Sequence, residues 1–246
     1  MALLLASAAL AVPAAAAPTW PERVADAVEF AQGRAGSVSF AVTDETGRRH
    51  GYRARRAAPS ASVLKAMLLV AYLNRASVRN RELRDADRAL LGPMIRRSDN
   101  DTANRVLGLV GASGVYRVAS RARMERFVLR LPIWGHSEIT ARDQARFFRR
   151  IDAYVPERHR GYARFLLAHV IASQRWGIPP VVPDGYRIFF KGGWGSGTGR
   201  VTHQVALLEK GETRISLAIL TEFNPSHRYG TATIRGVAAR LLRGVN

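Results

Sequence analysis

Ser62 and Lys65 stand three residues apart at the head of the most apolar stretch of the chain, which runs to Leu73. The stretch reads as a helix with no polar stripe, which predicts burial on every side. An ammonium group inside such a helix is costly unless it is paired or neutralised, so Lys65 requires a reason. Side chains at i and i+3 share a helix face and lean toward the N-terminus, so the spacing predicts the Lys65 amine folded back onto the Ser62 hydroxyl. A nucleophile beside a base is the chemistry these residue types supply.

The rest of the basic residues sharpen that reading. Of 38 Lys and Arg residues, only Lys65, Lys191 and Lys210 are lysines. Arg keeps its proton in a protein, whereas Lys shifts its pKa readily and can act as a base. Lys210 lies in the Glu209 to Glu212 segment, a hairpin turn where a solvated charge is sufficient. Lys191 instead ends an apolar run and is followed by Gly192 and Gly193, and a third polar cluster, Ser98-Asp99-Asn100, falls between the other two.

The elements that must position these residues follow from periodicity. Thr19 to Glu22 reads as a capping box, and Val24, Ala27, Val28 and Ala31 continue at helical spacing to Gly33. Val38, Phe40 and Val42 alternate, and a turn at 44–47 leads to a returning strand at 48–53. From Ala76 to Pro183 the pattern is helical, with helices expected at 81–97, 101–110, 113–123, 141–152 and 158–173. The segment 129–139 resists assignment and reads as a structured loop. Strands return at 186–191, 201–209 and 213–223, before a last helix carrying Ile234, Val237, Ala238, Leu241 and Leu242. The fold expected is α+β: an antiparallel sheet of about five strands flanked by the terminal helices, with an inserted all-helical lobe and a cleft between. The sheet part would comprise 18–61 and 184–246 and the lobe 62–183, together one domain.

Composition bounds the partners. An apolar content of 47% is ample for a core. Leu3 to Val12 forms an apolar run followed by Pro13 and small residues to Ala17, which reads as a secretory leader over 1–17 and an extracytoplasmic location. No segment is long enough to span a bilayer. The chain has no cysteine and its six histidines are scattered, so neither a metal site nor any other cofactor is expected. The net charge of +19 favours an anionic partner, either a substrate carboxylate or an anionic cell-envelope polymer. Nucleic acid is not expected, because arginines such as Arg53, Arg96, Arg149 and Arg240 are spread along the chain rather than gathered into one arm.

Taken in order, Ser62-x-x-Lys65, Ser98-Asp99-Asn100 and Lys191-Gly192-Gly193 resemble the three-motif signature of the penicillin-recognising serine enzymes, the class A β-lactamases and penicillin-binding proteins. The resemblance covers nearly the whole chain beyond the leader and extends from Ser98 through Asn104. It implies that Ser62 is acylated, that Lys65 is its base, and that Ser98 relays a proton toward the leaving nitrogen. Asn100 would hold Lys65 or the substrate amide, and Lys191 would favour a substrate carboxylate while helping to keep Lys65 neutral. The backbone N–H groups of Ser62 and Trp194, beside Gly193, would form the oxyanion hole.

Three departures bear on function. Gly192 stands where the family has Thr or Ser, so Ser196, Thr198 or Arg200 is expected to supply the missing carboxylate contact. Only 36 residues separate Ser62 from Ser98, a shorter interval than class A β-lactamases have, which predicts a more open site. The loop glutamate that activates the deacylating water has no counterpart: Glu138, the only acid in 129–139, stands too close to the following helix to match, and is a candidate water-activating base weighed against a surface or capping role. The expected activity is therefore that of a secreted serine hydrolase forming an acyl-enzyme with β-lactams or related acyl-D-amino-acid peptides. The alternatives are a D,D-peptidase or penicillin-binding enzyme with slow deacylation, and a non-catalytic cell-wall binding protein on the same fold.

Overall fold

A computed structural model of the chain describes residues 17–245; the leader expected over 1–17 lies outside them save for Ala17. The first helix, α1 (Trp20–Gln32), starts where expected, with the Glu22 carboxylate accepting from the Thr19 N–H at 2.7 Å and from its hydroxyl at 2.8 Å. Two strands follow, β1 (Ser37–Thr43) and β2 (Arg49–Tyr52), and then β3 (Ala57–Pro59). The chain next enters α2 (Leu64–Leu73), α3 (Asp85–Arg96) and α4 (Asn100–Arg121). After β4 (Glu138–Thr140) come α5 (Ala141–Arg149), α6 (Ile151–Tyr154) and α7 (Arg160–Ala168). The strands β5 (Arg187–Gly195), β6 (Val201–Lys210) and β7 (Thr213–Glu222) lead to α8 (His227–Leu241).

Five strands form one antiparallel sheet in the order β2-β1-β7-β6-β5, so the last strand of the C-terminal meander pairs with the first strand of the chain. Both faces are covered. On one, Phe40, Phe190, Leu208, Leu217 and Ile219 pack with Ala27 of α1 and Ile234, Val237 and Leu241 of α8. On the other, Phe189, Val205, Leu207 and Leu220 pack with α2 and with Phe147 and Phe148 of α5. Because successive strand side chains alternate faces, β5 and β6 turn their odd-numbered residues toward the helical lobe. That parity carries Lys191, Gly193 and His203 to the side on which α2 lies.

Burial of α2 is complete, since all ten of its residues are buried. Its last turn is fastened by Tyr72, whose hydroxyl donates to Asp87 at 2.7 Å; Asp87 also accepts from Arg81 at 2.6 Å and from the Arg84 N–H at 2.7 Å. The Arg81 hydrogen bond holds the Asp87 carboxyl far below the usual carboxylate range. Burial, reinforced by Asp87, pushes the Tyr72 phenol up to about 12.

Three local features differ from the sequence expectation. The helix expected from Ser62 begins as a 3-10 turn at Ala61–Val63 and becomes α-helical at Leu64. The two helices expected around residue 111 run as α4, kinked at Gly111 with φ 63° and ψ 172°. The helical insertion contains one strand, β4, which pairs with β3 through Ala57 opposite Thr140 and Pro59 opposite Glu138. Three residues that include a proline on the partner strand give too short an alternation to register in the sequence. Among the described residues no helix is long and apolar enough to cross a membrane.

Candidate active site

The site lies where the 3-10 turn ahead of α2 meets β5 and the junction of α3 and α4. Gly193 fixes the first of these contacts: a Cβ placed on it would lie 2.9 Å from both the Ser62 and the Val63 backbone nitrogens. Only a glycine lets the strand approach the turn so closely, and its missing side chain leaves space in front of those N–H groups. His203 of β6 braces the same turn, its Nε2 lying 2.8 Å from the Pro59 carbonyl oxygen while Nδ1 accepts from the Thr221 N–H at 3.1 Å. Burial pushes this imidazole down to about 4.

Lys65 is fully buried in the first turn of α2. Its amine donates to the Ser98 carbonyl oxygen at 2.5 Å and to Asn100 Oδ1 at 2.7 Å, and lies 3.3 Å from the Ser98 hydroxyl. The amine thus turns toward the α3–α4 junction; among the described residues it makes no hydrogen bond to Ser62, where the helical spacing had aimed it. Burial holds Lys65 down to about 7, with the Asp99 carboxylate pulling the other way. A neutral amine has two protons, and the carbonyl and amide oxygens can only accept, so both protons are committed and the lone pair is left for a hydroxyl.

Ser98 occupies the position after α3 in a left-handed conformation, φ 59°. Glycine is the usual residue at such a helix end, and a side chain there costs about 1 kcal/mol. The strain turns both the carbonyl and the hydroxyl of Ser98 toward the lysines: Lys191 Nζ donates to Ser98 Oγ at 2.9 Å and to the Gly192 carbonyl oxygen at 2.7 Å. Lys191 is fully buried, and burial, followed by the charge of Lys65, holds it well below the usual lysine range. The repulsion expected to act on Lys65 therefore falls mainly on Lys191. Asp99 caps α4, accepting from the Thr102 N–H at 2.8 Å.

A cavity of about 340 Å³ opens over Ser62, walled by Asn100, Asn104, Trp134, Trp194 and Thr198. Ser196 and Arg200 line a separate cavity of about 250 Å³ with His227, and Trp194 stands between the two. Glu138 faces a third space, of about 650 Å³, with Pro59 and Phe223, and is ion-paired with Arg130 at 2.5 Å. Of the residues named from the sequence, Ser62, Lys65, Ser98, Asn100, Lys191, Gly193, Trp194 and Thr198 thus gather in one place, and Ser196, Arg200 and Glu138 do not.

Residues not anticipated complete the surroundings. Lys65 Nζ lies over the Trp134 ring, 5.1 Å from its centroid, and the indole N–H donates to Asn104 Oδ1 at 2.7 Å. Trp176 fills the space beside Gly192: a Cβ there would meet its ring at 3.1 Å. The same ring packs edge-on against Trp194 and His227 at 5.9 and 5.1 Å. Asn104 had a signal, since it falls one helical turn after Asn100; Trp134 and Trp176 lie in irregular segments without periodicity. Among the described residues no cluster of three or more His, Cys, Asp or Glu is placed to hold a metal ion.

A five-stranded sheet covered by helices, with a serine, two buried lysines and a Ser-Asp-Asn junction at one end, defines an α+β fold of the serine β-lactamase type. A family model described as the β-lactamase enzyme family matches residues 87–245, more than half of the chain, and the chain belongs to that family. Among solved structures it is similar to a β-lactamase from Sphaerobacter thermophilus, with 21% identity, a TM-score of 0.79, and coverage of 92% of this chain and 97% of that one. An ancestral class A β-lactamase gives 19% identity and a TM-score of 0.74 over 89% of this chain and 98% of the other. A β-lactamase from Xanthomonas campestris gives 18% and 0.74, over 90% and 96%. These likenesses establish the fold. No curated protein matches the sequence.

Proposed function

We propose that the chain is an extracytoplasmic serine hydrolase that forms an ester between Ser62 and the carbonyl of a β-lactam or a related acyl-D-amino-acid peptide. The observation that carries this reading is the placement of a half-buried Ser62 in the 3-10 turn that leads directly into α2, whose first turn holds a buried Lys65 with its pKa lowered to about 7. Neutral Lys65 takes the Ser62 proton as Oγ attacks the carbonyl carbon. The backbone N–H groups of Ser62 and Trp194 receive the oxyanion, in the space that Gly193 leaves open. Ser98 passes its proton to the leaving nitrogen and is resupplied by the lysines hydrogen-bonded to it. Thr198 and Lys191 attract the substrate carboxylate. The apolar leader supports export, and the charge of +19 supports retention near an anionic envelope polymer.

A second reading, a penicillin-binding enzyme or D,D-peptidase with slow deacylation, draws support from the walls of the Ser62 cavity, none of which is a carboxylate. Intact mass after mixing with a penicillin separates the possibilities. Rapid product release supports fast hydrolysis, a persistent adduct on Ser62 supports the second reading, and the absence of both in the wild type excludes the two together. Ser62→Ala should form no adduct.

A further inference from the structure

We infer that Trp134 excludes water from the base side of the Ser62 ester and so sets the lifetime of the acyl-enzyme. This inference rests on the acylation proposed above. Hydrolysis of the ester requires a water oxygen to attack the acyl carbon while a base takes its proton, and Ser62 Oγ then leaves and receives a proton back. Lys65, the base proposed for acylation, is the candidate for that proton. Its neighbours include the Ser98 carbonyl and hydroxyl, Asn100 Oδ1 and the indole of Trp134, whose ring centroid is 5.1 Å from Nζ. An ordered water needs polar partners, and an indole face offers none of the strength required. Acylation needs no such seat, because the proton that moves is that of Ser62 itself.

The rest of the loop supplies no substitute for a water-holding group. Glu138 is tied to Arg130, His136 Nε2 lies 3.1 Å from the Gly197 carbonyl oxygen, and the Ser137 hydroxyl accepts from the Arg130 N–H at 3.1 Å. Nor is the indole loosely held. Its N–H is anchored on Asn104, and the Trp134 carbonyl accepts from the Ser137 N–H at 3.0 Å and from the Ser60 hydroxyl at 3.4 Å. Asn100 and Asn104 lie one turn apart on α4, so one helix face positions both the lysine and the ring that covers it.

The test measures adduct formation and adduct decay separately, by intact mass and by a chromogenic cephalosporin, in the wild type, Trp134→Ala, Trp134→Phe and Asn104→Ala. Wild-type adduct should persist. Trp134→Ala should speed decay at least about tenfold, equivalent to about 1.4 kcal/mol, whatever its effect on the separately measured acylation rate. The faster decay should rise with pH as Lys65 loses its proton, a response that mere loosening of the loop would not produce. Trp134→Phe, which keeps a ring face but loses the hydrogen bond to Asn104, should match Asn104→Ala and fall between the wild type and Trp134→Ala. Should Trp134→Ala not fold, Asn104→Ala, which removes only the anchor, carries the same expectation of faster decay. Wild-type turnover without a persistent adduct, or a folded Trp134→Ala whose adduct decays at the wild-type rate, would overturn the inference while leaving Ser62 acylation standing. Neither adduct nor product in the wild type would overturn both.

Discussion

Lys191 donates to the Ser98 hydroxyl at 2.9 Å, and the same oxygen lies 3.3 Å from Lys65, so one hydroxyl joins two fully buried lysines. Two ammonium groups sharing a buried acceptor repel, and burial disfavours charge on each. A site of this kind brings the titration of its base close to neutral pH without any carboxylate to accept the proton. Acylation by a penicillin should therefore rise with pH to a plateau, with a midpoint near the Lys65 value of about 7. Lys65→Arg, which cannot give up its proton, should lower the acylation rate by about 10²- to 10⁴-fold. A flat profile across about one and a half pH units either side of that midpoint would remove Lys65 from the role of base.

Asp99 offers a finer test of the same residue. Its carboxylate raises the Lys65 pKa, and it also caps α4 by accepting from the Thr102 N–H. Asparagine caps a helix about as well as aspartate, so Asp99→Asn removes the charge and keeps the cap. The midpoint of the acylation profile should move to lower pH, with the thermal midpoint changed little. A shift to higher pH would mean that Asp99 acts on something other than the lysine.

The two glycines after Lys191 make opposite demands. Gly193→Ala places a methyl 2.9 Å from two backbone nitrogens, which cannot retreat without moving the Ser62 turn, so acylation should fall steeply in a protein that still folds. Gly192→Thr would introduce the hydroxyl found in related enzymes, but its Cβ meets Trp176 at 3.1 Å, and overpacking of this kind costs about 1–3 kcal/mol. Pairing it with Trp176→Leu should recover the thermal midpoint lost by Gly192→Thr alone. Equal losses in the single and double variants would show that Trp176 is not the obstacle.

Strands, helices and the three motifs were legible because each rests on local rules: alternation at Val38 to Val42, the capping box at Thr19, and the fixed order of Ser62, Ser98 and Lys191. The unread parts depend on contacts between distant segments. Nothing local distinguishes Trp134 from any loop tryptophan, and it acquires its meaning from Asn104, 30 residues earlier. Helical spacing aimed the Lys65 amine at Ser62, but its direction is decided by the Ser98 carbonyl, 33 residues away. The covering of Gly192 by Trp176 is of the same kind.

Asp87 links α2 to the segment before α3, and its removal tests how far the base helix depends on that link. The carboxylate is buried and accepts from Tyr72, Arg81 and the Arg84 N–H. Removing the carboxylate leaves the buried Tyr72 hydroxyl and the Arg84 N–H without their acceptor, a loss of about 1–3 kcal/mol. Asp87→Ala should lower stability by that order in urea titrations, and Asp87→Asn by less, since it keeps part of the hydrogen bonding. Near-wild-type stability for Asp87→Ala would show that the Tyr72 and Arg81 contacts are dispensable.

His203 should make the protein sensitive to mild acid. Its Nδ1 accepts from the Thr221 N–H, and the proton on Nε2 goes to the Pro59 carbonyl, so the neutral ring is satisfied and a second proton would face the Thr221 N–H. Above the ordinary histidine pKa of about 6.5, neither folded nor unfolded ring is charged and the full stability is present. Below that value the unfolded chain takes up a proton that the folded ring, held down to about 4 by burial, refuses. Stability should fall by about 3 kcal/mol in all as the pH drops from the unfolded pKa to the folded one. His203→Gln, which cannot titrate, should lack this component, so the difference in urea midpoint between wild type and variant should change across that interval and be constant above it. A difference constant throughout would mean that the imidazole does not titrate with unfolding. Because Pro59 stands three residues before Ser62, acylation in the wild type should decline over the same interval more steeply than loss of the Lys65 base alone would produce.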